Sequence, residues 1–245
     1  MTAVVTGASR GFGRAIAAAL VRSGSTVVGV ARTSSDLDEA RREFGERFVP
    51  VTADAASSDT ATRMLAEHKP SLLVLDAAAV PAMAPLPEQT WEGFSRSWHV
   101  DVRQAFEWLG AALRLPLPPG SQVVVFSSGA ALRGSPLSGG YAGAKATVRF
   151  VTGYAAQEAE RAGLDLRFLT VLPGLTPTTA HGRIGATGYA ARQGVSLEEF
   201  TKALGPALTP ELVASTLLDL LRVEDAPRLR EVWLDGKGAR PLPTG

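Results

Sequence analysis

Short apolar runs rich in β-branched residues recur along the chain, separated by amphipathic stretches. The first run, Thr2–Thr6, stops at Gly7. Beyond the glycines, Arg14–Arg22 carries Ile16, Ala19 and Leu20 at i, i+3 and i+4, the spacing of one helix face. The alternation then repeats. Ser25–Ala31, Arg47–Thr52 and Leu72–Leu75 read as strands, while Asp36–Phe44, Ser57–Glu67 and a long region from Glu88 to about Leu113 read as helices. That region ends before Pro116-Leu117-Pro118-Pro119-Gly120. Strand Gln122–Ser127, helix Ala142–Arg161 and strand Asp165–Leu172 follow, then a loop-rich stretch from Pro173 to about Ser196. Helix Pro210–Leu221 and strand Glu231–Leu234 close the pattern.

Strands that alternate with helices and are apolar on both faces predict a parallel sheet covered on both sides. Right-handed crossovers make it doubly wound, with ligands at the carboxyl ends of the strands. No linker divides the chain and no repeat is visible. The fold class is therefore α/β, a doubly wound parallel sheet (Rossmann fold) in a single domain over residues 1–245. Residues 174–196 exceed an ordinary connection and are expected to form a substrate loop. Gly182, Gly185, Gly188 and Gly194 within it suggest a mobile lid.

Composition narrows the function. The 245 residues carry 25 basic and 24 acidic side chains, a formal charge of +1, with no cysteine and three histidines. Disulfides, thiolate chemistry and a zinc site are excluded on this count. No basic block suits nucleic acid, and no apolar run reaches the ~18 residues of a membrane span. Arg10 and Arg14 before Ala15–Val21 mimic a secretion signal. The strand-like opening and the glycine turn are foreign to one, so a cytoplasmic location is expected.

Thr6-Gly7-Ala8-Ser9-Arg10-Gly11-Phe12-Gly13 joins the first strand to the first helix. In that context Gly7 turns tightly, Gly11 admits a pyrophosphate close to the backbone, and Gly13 lets helix pack on strand. The helix N-terminus attracts the anion. An NAD site calls for an acid at the end of the second strand. That strand ends here in Arg32-Thr33-Ser34-Ser35, and Arg10 lies in the glycine loop. Two guanidiniums with hydroxyls suit a 2′-phosphate, so NADP(H) is expected in preference to NAD(H). Downstream, Tyr141 and Lys145 share a helix face, and a lysine ammonium there would lower the phenol's pKa.

With these residues the chain resembles the short-chain dehydrogenase/reductase family over nearly its whole length. The shared motifs are the Thr-Gly-x-x-x-Gly-x-Gly loop, Asp54, Ser128, Tyr141, Lys145 and Pro173-Gly174. Ser128 precedes Tyr141 by thirteen positions, as in that family. The resemblance implies an oxidoreductase interconverting a carbonyl and an alcohol, with Tyr141 as general acid or base and Ser128 on the substrate oxygen. It implies that Lys145 holds the nicotinamide ribose, and that Asp54 and the Ala55 backbone contact adenine. Pro173, Gly174 and Thr176 would support the carboxamide, and Thr178 the pyrophosphate. Gly7, Ser9, Arg10, Gly11, Phe12, Gly13, Arg32 and Thr33 would complete the cofactor site. A homotetramer is implied, with a dimer as runner-up. A small-molecule substrate is the expected partner.

Three departures stand out. The family's Asn-Asn-Ala-Gly after strand four is Leu75-Asp76-Ala77-Ala78, in which Ala77 would lie beside the adenosine ribose. A helix asparagine of the proton relay is Asp101, and the closing Asp-Gly-Gly is Asp235-Gly236-Lys237. Asp101 is expected to join the catalytic set and to raise the Lys145 pKa. Two alternatives stay open: a dinucleotide-binding regulator without turnover, and a cofactor-free lyase of the halohydrin-dehalogenase type. The substrate and the direction of reaction are not legible. Trp91, Phe94, Trp98, Phe106 and Trp108 are expected in the core or a subunit interface, and the stripe Val148, Val151, Ala155 and Ala159 either in such an interface or on the sheet.

Overall fold

The computed structural model describes residues 1–115, 117–223, 227 and 229–242. Pro116, first of the prolines expected to stop the long helix, lies outside them. Seven strands run parallel: β1 (Thr2–Thr6), β2 (Thr26–Ala31), β3 (Phe48–Thr52), β4 (Leu72–Leu75), β5 (Ser121–Phe126), β6 (Leu166–Pro173) and β7 (Leu229–Asp235). An eighth, β8 (Gly238–Pro241), returns antiparallel along β7. The order across the sheet is β3-β2-β1-β4-β5-β6-β7-β8. Because β1 sits between β2 and β4, the chain reverses its direction of winding there. A crevice opens at the strands' carboxyl ends.

Successive residues of each strand point to opposite faces, so each face has its own core. On one, Val5, Val27 and Val171 meet Ile16 and Leu20 of α1 (Gly11–Arg22), with Val213 and Leu217 of a helix near the end of the chain. α2 (Ser34–Phe44) adds Leu37 on this side. On the other, Val4, Val28 and Val125 meet α3 (Ser58–His68) and two later helices through Met64, Trp108 and Val148. Trp108 is wholly buried and its Nε1 donates to the Ala55 carbonyl at 2.8 Å. Among the described residues no helix is long and apolar enough to cross a membrane.

The long helix expected from Glu88 is three pieces. α4 (Trp91–Ser97) passes through a π-helical turn, Trp98–Val102, into α5 (Arg103–Arg114). An inserted residue in such a turn re-aims a side chain, and here it buries Asp101. A short α6 (Ala130–Arg133) precedes the long α7 (Gly139–Arg161). The stripe on α7 packs on the sheet: Val148, Ala155 and Ala159 are buried there. The aromatic set divides, with Trp108 in the core and Trp91, Trp98 and Phe106 exposed.

The largest departure lies in 174–196. Residues expected to be a mobile loop form α8 (Ala180–Gln193), capped by the Thr179 hydroxyl and ended by Gly194 at φ 68°. α9 (Leu197–Ala203) follows, started by a Ser196–Glu199 capping box. The glycines of α8 serve close packing. A Cβ on Gly182 would stand 2.0 Å from the Thr176 carbonyl oxygen. α10 (Pro210–Leu221), which supplies Val213 and Leu217, completes the helices of the described residues.

α7 crosses α4 at Gly140, where an added Cβ would lie 1.9 Å from the Phe94 carbonyl oxygen. Gly140→Ala is therefore expected to push the helices apart, at a cost of about 1–3 kcal/mol for an overpacked contact. Urea unfolding compared with the parent protein checks this, and an unchanged midpoint would contradict the contact.

Candidate active site

A cleft of about 870 Å³ lies along the carboxyl edge of the sheet. Its floor at one end is the β1–α1 turn. Gly7 there adopts φ 71°, and a Cβ on it would meet the Ala77 amide nitrogen at 2.9 Å. On Gly13 a Cβ would stand 2.4 Å from the Gly7 carbonyl oxygen. Only glycine fits, and the turn lies flush against the exit of β4. The start of α1 has no side-chain cap and no acid in its first turn, so amide donors remain available to an anion.

Arg10 and Arg32 line this end, exposed and without a carboxylate partner among the described residues. Arg14 differs, being held by Glu39 at 3.0 Å and Glu43 at 2.6 Å. Thr33, Asp54, Ala55 and Ala77 complete the wall. Asp54 Oδ1 accepts from the Ala56 amide at 2.9 Å. A glycine cradle, an uncapped helix start and two free guanidiniums fit an anionic dinucleotide. Among the described residues no group of acids and histidines could hold a metal.

Further along, α7 presents Tyr141 and Lys145. The Ser127 hydroxyl donates to the Lys145 carbonyl at 2.8 Å and ties α7 to the end of β5. Lys145 Nζ donates to the Phe126 carbonyl at 3.0 Å, lies 3.3 Å from Asp101 Oδ2 and sits 5.8 Å from the centre of the Tyr141 ring. Ser128 Oγ accepts from the Ala130 amide at 3.2 Å and hydrogen-bonds the Tyr141 phenol.

These groups set one another's protonation. Burial pulls Lys145 down, but Asp101, Tyr141 and Asp76 outweigh it and hold the ammonium above its ordinary pKa. The Tyr141 phenol departs from expectation, standing above its usual value. Burial raises it and the two aspartates add to this, while Lys145 and Ser128 only partly compensate. Asp76 is pushed to about 7, first by burial, against the pull of Lys145 and a 2.8 Å bond from the Gly13 amide to Oδ2.

Nearly all the residues anticipated for the site line the cleft: Gly7, Ser9, Arg10, Gly11, Phe12, Arg32, Thr33, Asp54, Ala55, Ala77, Ser128, Tyr141, Lys145, Pro173, Gly174, Thr176 and Thr178. Two do not. Gly13 lies behind the turn. Asp101, expected among the catalytic residues, is 1% exposed and reaches the cleft only through Lys145. Its Oδ1 also accepts from the Ala79 amide at 2.8 Å. The Thr176 and Thr178 hydroxyls donate to the Gly174 and Leu208 carbonyls, each at 2.9 Å.

Sequence reasoning placed 174–196 at the substrate and missed the rest of the far wall. Trp233 of β7 lies so close to Gly129 that a Cβ there would be 2.6 Å from its ring. Its Nε1 donates to Asp235 at 2.9 Å, and the Arg133 guanidinium sits 5.4 Å above it. Ser135 bonds Ser138 at 2.6 Å and also the Tyr189 hydroxyl. No spacing rule marks Arg133, Ser135, Ser138 or Trp233 in the sequence. His181 comes 5.6 Å from Tyr141, ring centre to ring centre, while Arg183 and Arg192 face solvent.

His181 has a pKa of about 4, lowered by burial and then by Lys145 and Arg10. Unfolded, an ordinary histidine binds its proton near 6.5. Between these values the unfolded chain holds more protons, so stability falls as pH drops from 6.5 toward 4. His181→Asn removes that loss. Its stability is expected to decline less than the parent's across this window, by on the order of 2 kcal/mol. Denaturant titrations at both pH values measure the difference, and equal declines would contradict a neutral buried imidazole.

A family profile described as short chain dehydrogenase matches residues 1–187. L-xylulose reductase of Homo sapiens is 38% identical over 104 residues, a match spanning 42% of either chain. Two solved structures share the fold across almost all of both chains. Alcohol dehydrogenase from the archaeon Thermococcus sibiricus, complexed with 5-hydroxy-NADP, is 24% identical with a TM-score of 0.76, covering 99% of each chain. An NAD+-bound xylitol dehydrogenase is 19% identical with a TM-score of 0.84, covering 96% of this chain and 97% of its own. The chain belongs to the short-chain dehydrogenase/reductase family.

Proposed function

We propose that the protein is an NADP(H)-preferring reductase of a small polar carbonyl compound, with Tyr141 as the general acid. The supporting observation is the convergence of Ser128, Tyr141 and Lys145 in one cleft with the glycine turn and two unpaired guanidiniums. The dinucleotide, when bound, supplies the hydride. Ser128 has its oxygen engaged by the Ala130 amide, and its proton, directed at the Tyr141 phenol here, can turn to a substrate oxygen beside it. The phenol keeps its proton at neutral pH and can hand it to the same oxygen. Lys145 uses two of its three N–H groups on Phe126 and Asp101, leaving one for a ribose hydroxyl. In the reverse direction Tyr141 must first lose its proton, so alcohol oxidation is favoured at alkaline pH.

The Asp101 ion pair favours one other reading, a dinucleotide-binding regulator without turnover, because it draws charge away from the phenol. The free third N–H of Lys145 and the protonated phenol speak for the enzyme. A fluorescence titration with NADPH and with NADH tests the dinucleotide site. NADPH is expected to bind at least about tenfold more tightly, with the advantage lost in Arg32→Ala, since one charge-assisted phosphate contact contributes on the order of 1.5–3 kcal/mol. Tyr141→Phe is expected to keep binding and lose about 10²–10⁴-fold in carbonyl reduction, the usual worth of a general acid. Failure of both nucleotides to bind would overturn the proposal, and an active Tyr141→Phe would remove its mechanism.

A homo-oligomer is part of the same proposal. Phe106 of α5 and Phe150 and Tyr154 of α7 are large and exposed, as befits residues that another copy covers. Light scattering is expected to report a dimer or tetramer, and Phe150→Glu with Tyr154→Glu to give monomer. A monomeric parent protein would contradict it.

A further inference from the structure

Two carboxylates, Asp101 buried and Asp76 partly buried in the cleft wall, face one buried ammonium. Asp101 pairs with Lys145 directly, at 3.3 Å. Among the described residues Asp76 makes no ion pair of its own, and its Oδ2 accepts the Gly13 amide at 2.8 Å. The charged and titratable groups facing Asp76 are Lys145 and Tyr141 from α7 and Asp101 from the π-helical turn. α1 offers only the Gly13 amide. β1 offers the Thr6 hydroxyl, which accepts from the Asp76 and Ala77 amides at 3.0 and 3.2 Å. With both aspartates ionised and the phenol neutral, the cluster carries one uncompensated negative charge. Such a charge is costly away from water, and a group in that position neutralises itself. Asp101 has the ammonium, so the proton falls to Asp76. A neutral carboxyl keeps a weaker bond to Gly13, since Oδ2 can still accept while the proton sits on Oδ1.

The Gly13 amide belongs to the turn that would receive the pyrophosphate. A second anion brought onto that turn raises the cost of a charge on Asp76. We propose that Asp76 takes up a proton when the dinucleotide binds, so that cofactor affinity falls as pH rises. The proposal rests on the dinucleotide reading of the cleft. It concerns a residue at which the family resemblance anticipates a neutral asparagine. In the free protein Asp76 has a pKa of about 7, so above neutrality it is largely ionised and has a proton to gain. Binding linked to uptake of one proton weakens with rising pH, and the same coupling makes bound cofactor raise the Asp76 pKa.

The test is calorimetric titration with NADPH at about pH 8.5 in buffers of different ionisation enthalpy, which reads the protons exchanged. His181, with a pKa of about 4, and a phosphate monoester, near 6, are both deprotonated there. The parent protein is expected to take up close to one proton, and its Kd to rise by up to about tenfold per pH unit between about pH 7.5 and 9. Asp76→Asn, which keeps the shape and an acceptor for Gly13, is expected to take up none. It should bind with a flat pH profile and more tightly than the parent at alkaline pH. An infrared difference spectrum of the parent on NADPH binding should gain a protonated-carboxyl C=O band, which does not require the variant to fold. Binding without proton uptake, or uptake undiminished in Asp76→Asn, would overturn the proposal alone. Absence of binding in the parent protein would overturn the dinucleotide reading and this proposal together.

Discussion

A lysine ammonium in the interior must be paired, and the site is arranged around that requirement. Lys145 is 5% exposed at its side chain. Its charge is met by the Phe126 carbonyl at the end of β5 and by Asp101 from the π-helical turn. The same Asp101 carboxylate holds the Ala79 amide beyond β4. One buried pair thereby fixes three chain segments relative to α7. A regular helix through Trp98–Val102 would turn Asp101 elsewhere, so the extra residue of the π turn and the ionised lysine depend on each other.

The pairing has an electrostatic consequence for the phenol beside it. A solitary ammonium would pull Tyr141 well below its ordinary pKa. Here two carboxylates offset that ammonium, and burial, which penalises the phenolate, prevails. Tyr141 stays protonated first because it is buried and second because its charged neighbour is compensated. In place of a neutral relay asparagine, Asp101 stabilises the lysine and weakens its hold on the tyrosine. These effects come from one charge and cannot be separated by geometry.

The sheet was legible because its strands are short, apolar and β-branched and are bounded by glycine or proline. All seven strands read from the sequence are present, in the doubly wound arrangement expected of them. β8 escaped because Gly238–Pro241 has no apolar alternation and pairs on one side only. α8 escaped for a different reason. Its buried face consists of Gly182, Gly185, Ala186 and Ala190, residues too small to register as an apolar stripe. Glycine in that stretch signalled freedom, whereas in the fold it signals closeness: Gly188 packs with a would-be Cβ 3.1 Å from Met83.

The two halves of the cleft differ in the same respect. On the dinucleotide side the shape is imposed by backbone against backbone, Gly7 on Ala77 and Gly13 on Gly7. A larger residue at either position collides with main chain, so the glycine pattern declares the site in any sequence that folds this way. On the substrate side the wall is side chains meeting side chains: Ser135 with Tyr189, Arg133 over Trp233, His181 beside Tyr141. Those partners come from α6, α7, α8 and β7, far apart in the chain, and any could be exchanged for another of similar size at modest cost in packing. Tyr141 apart, no spacing announces them, which is why a chain of this kind discloses its class of reaction before its substrate.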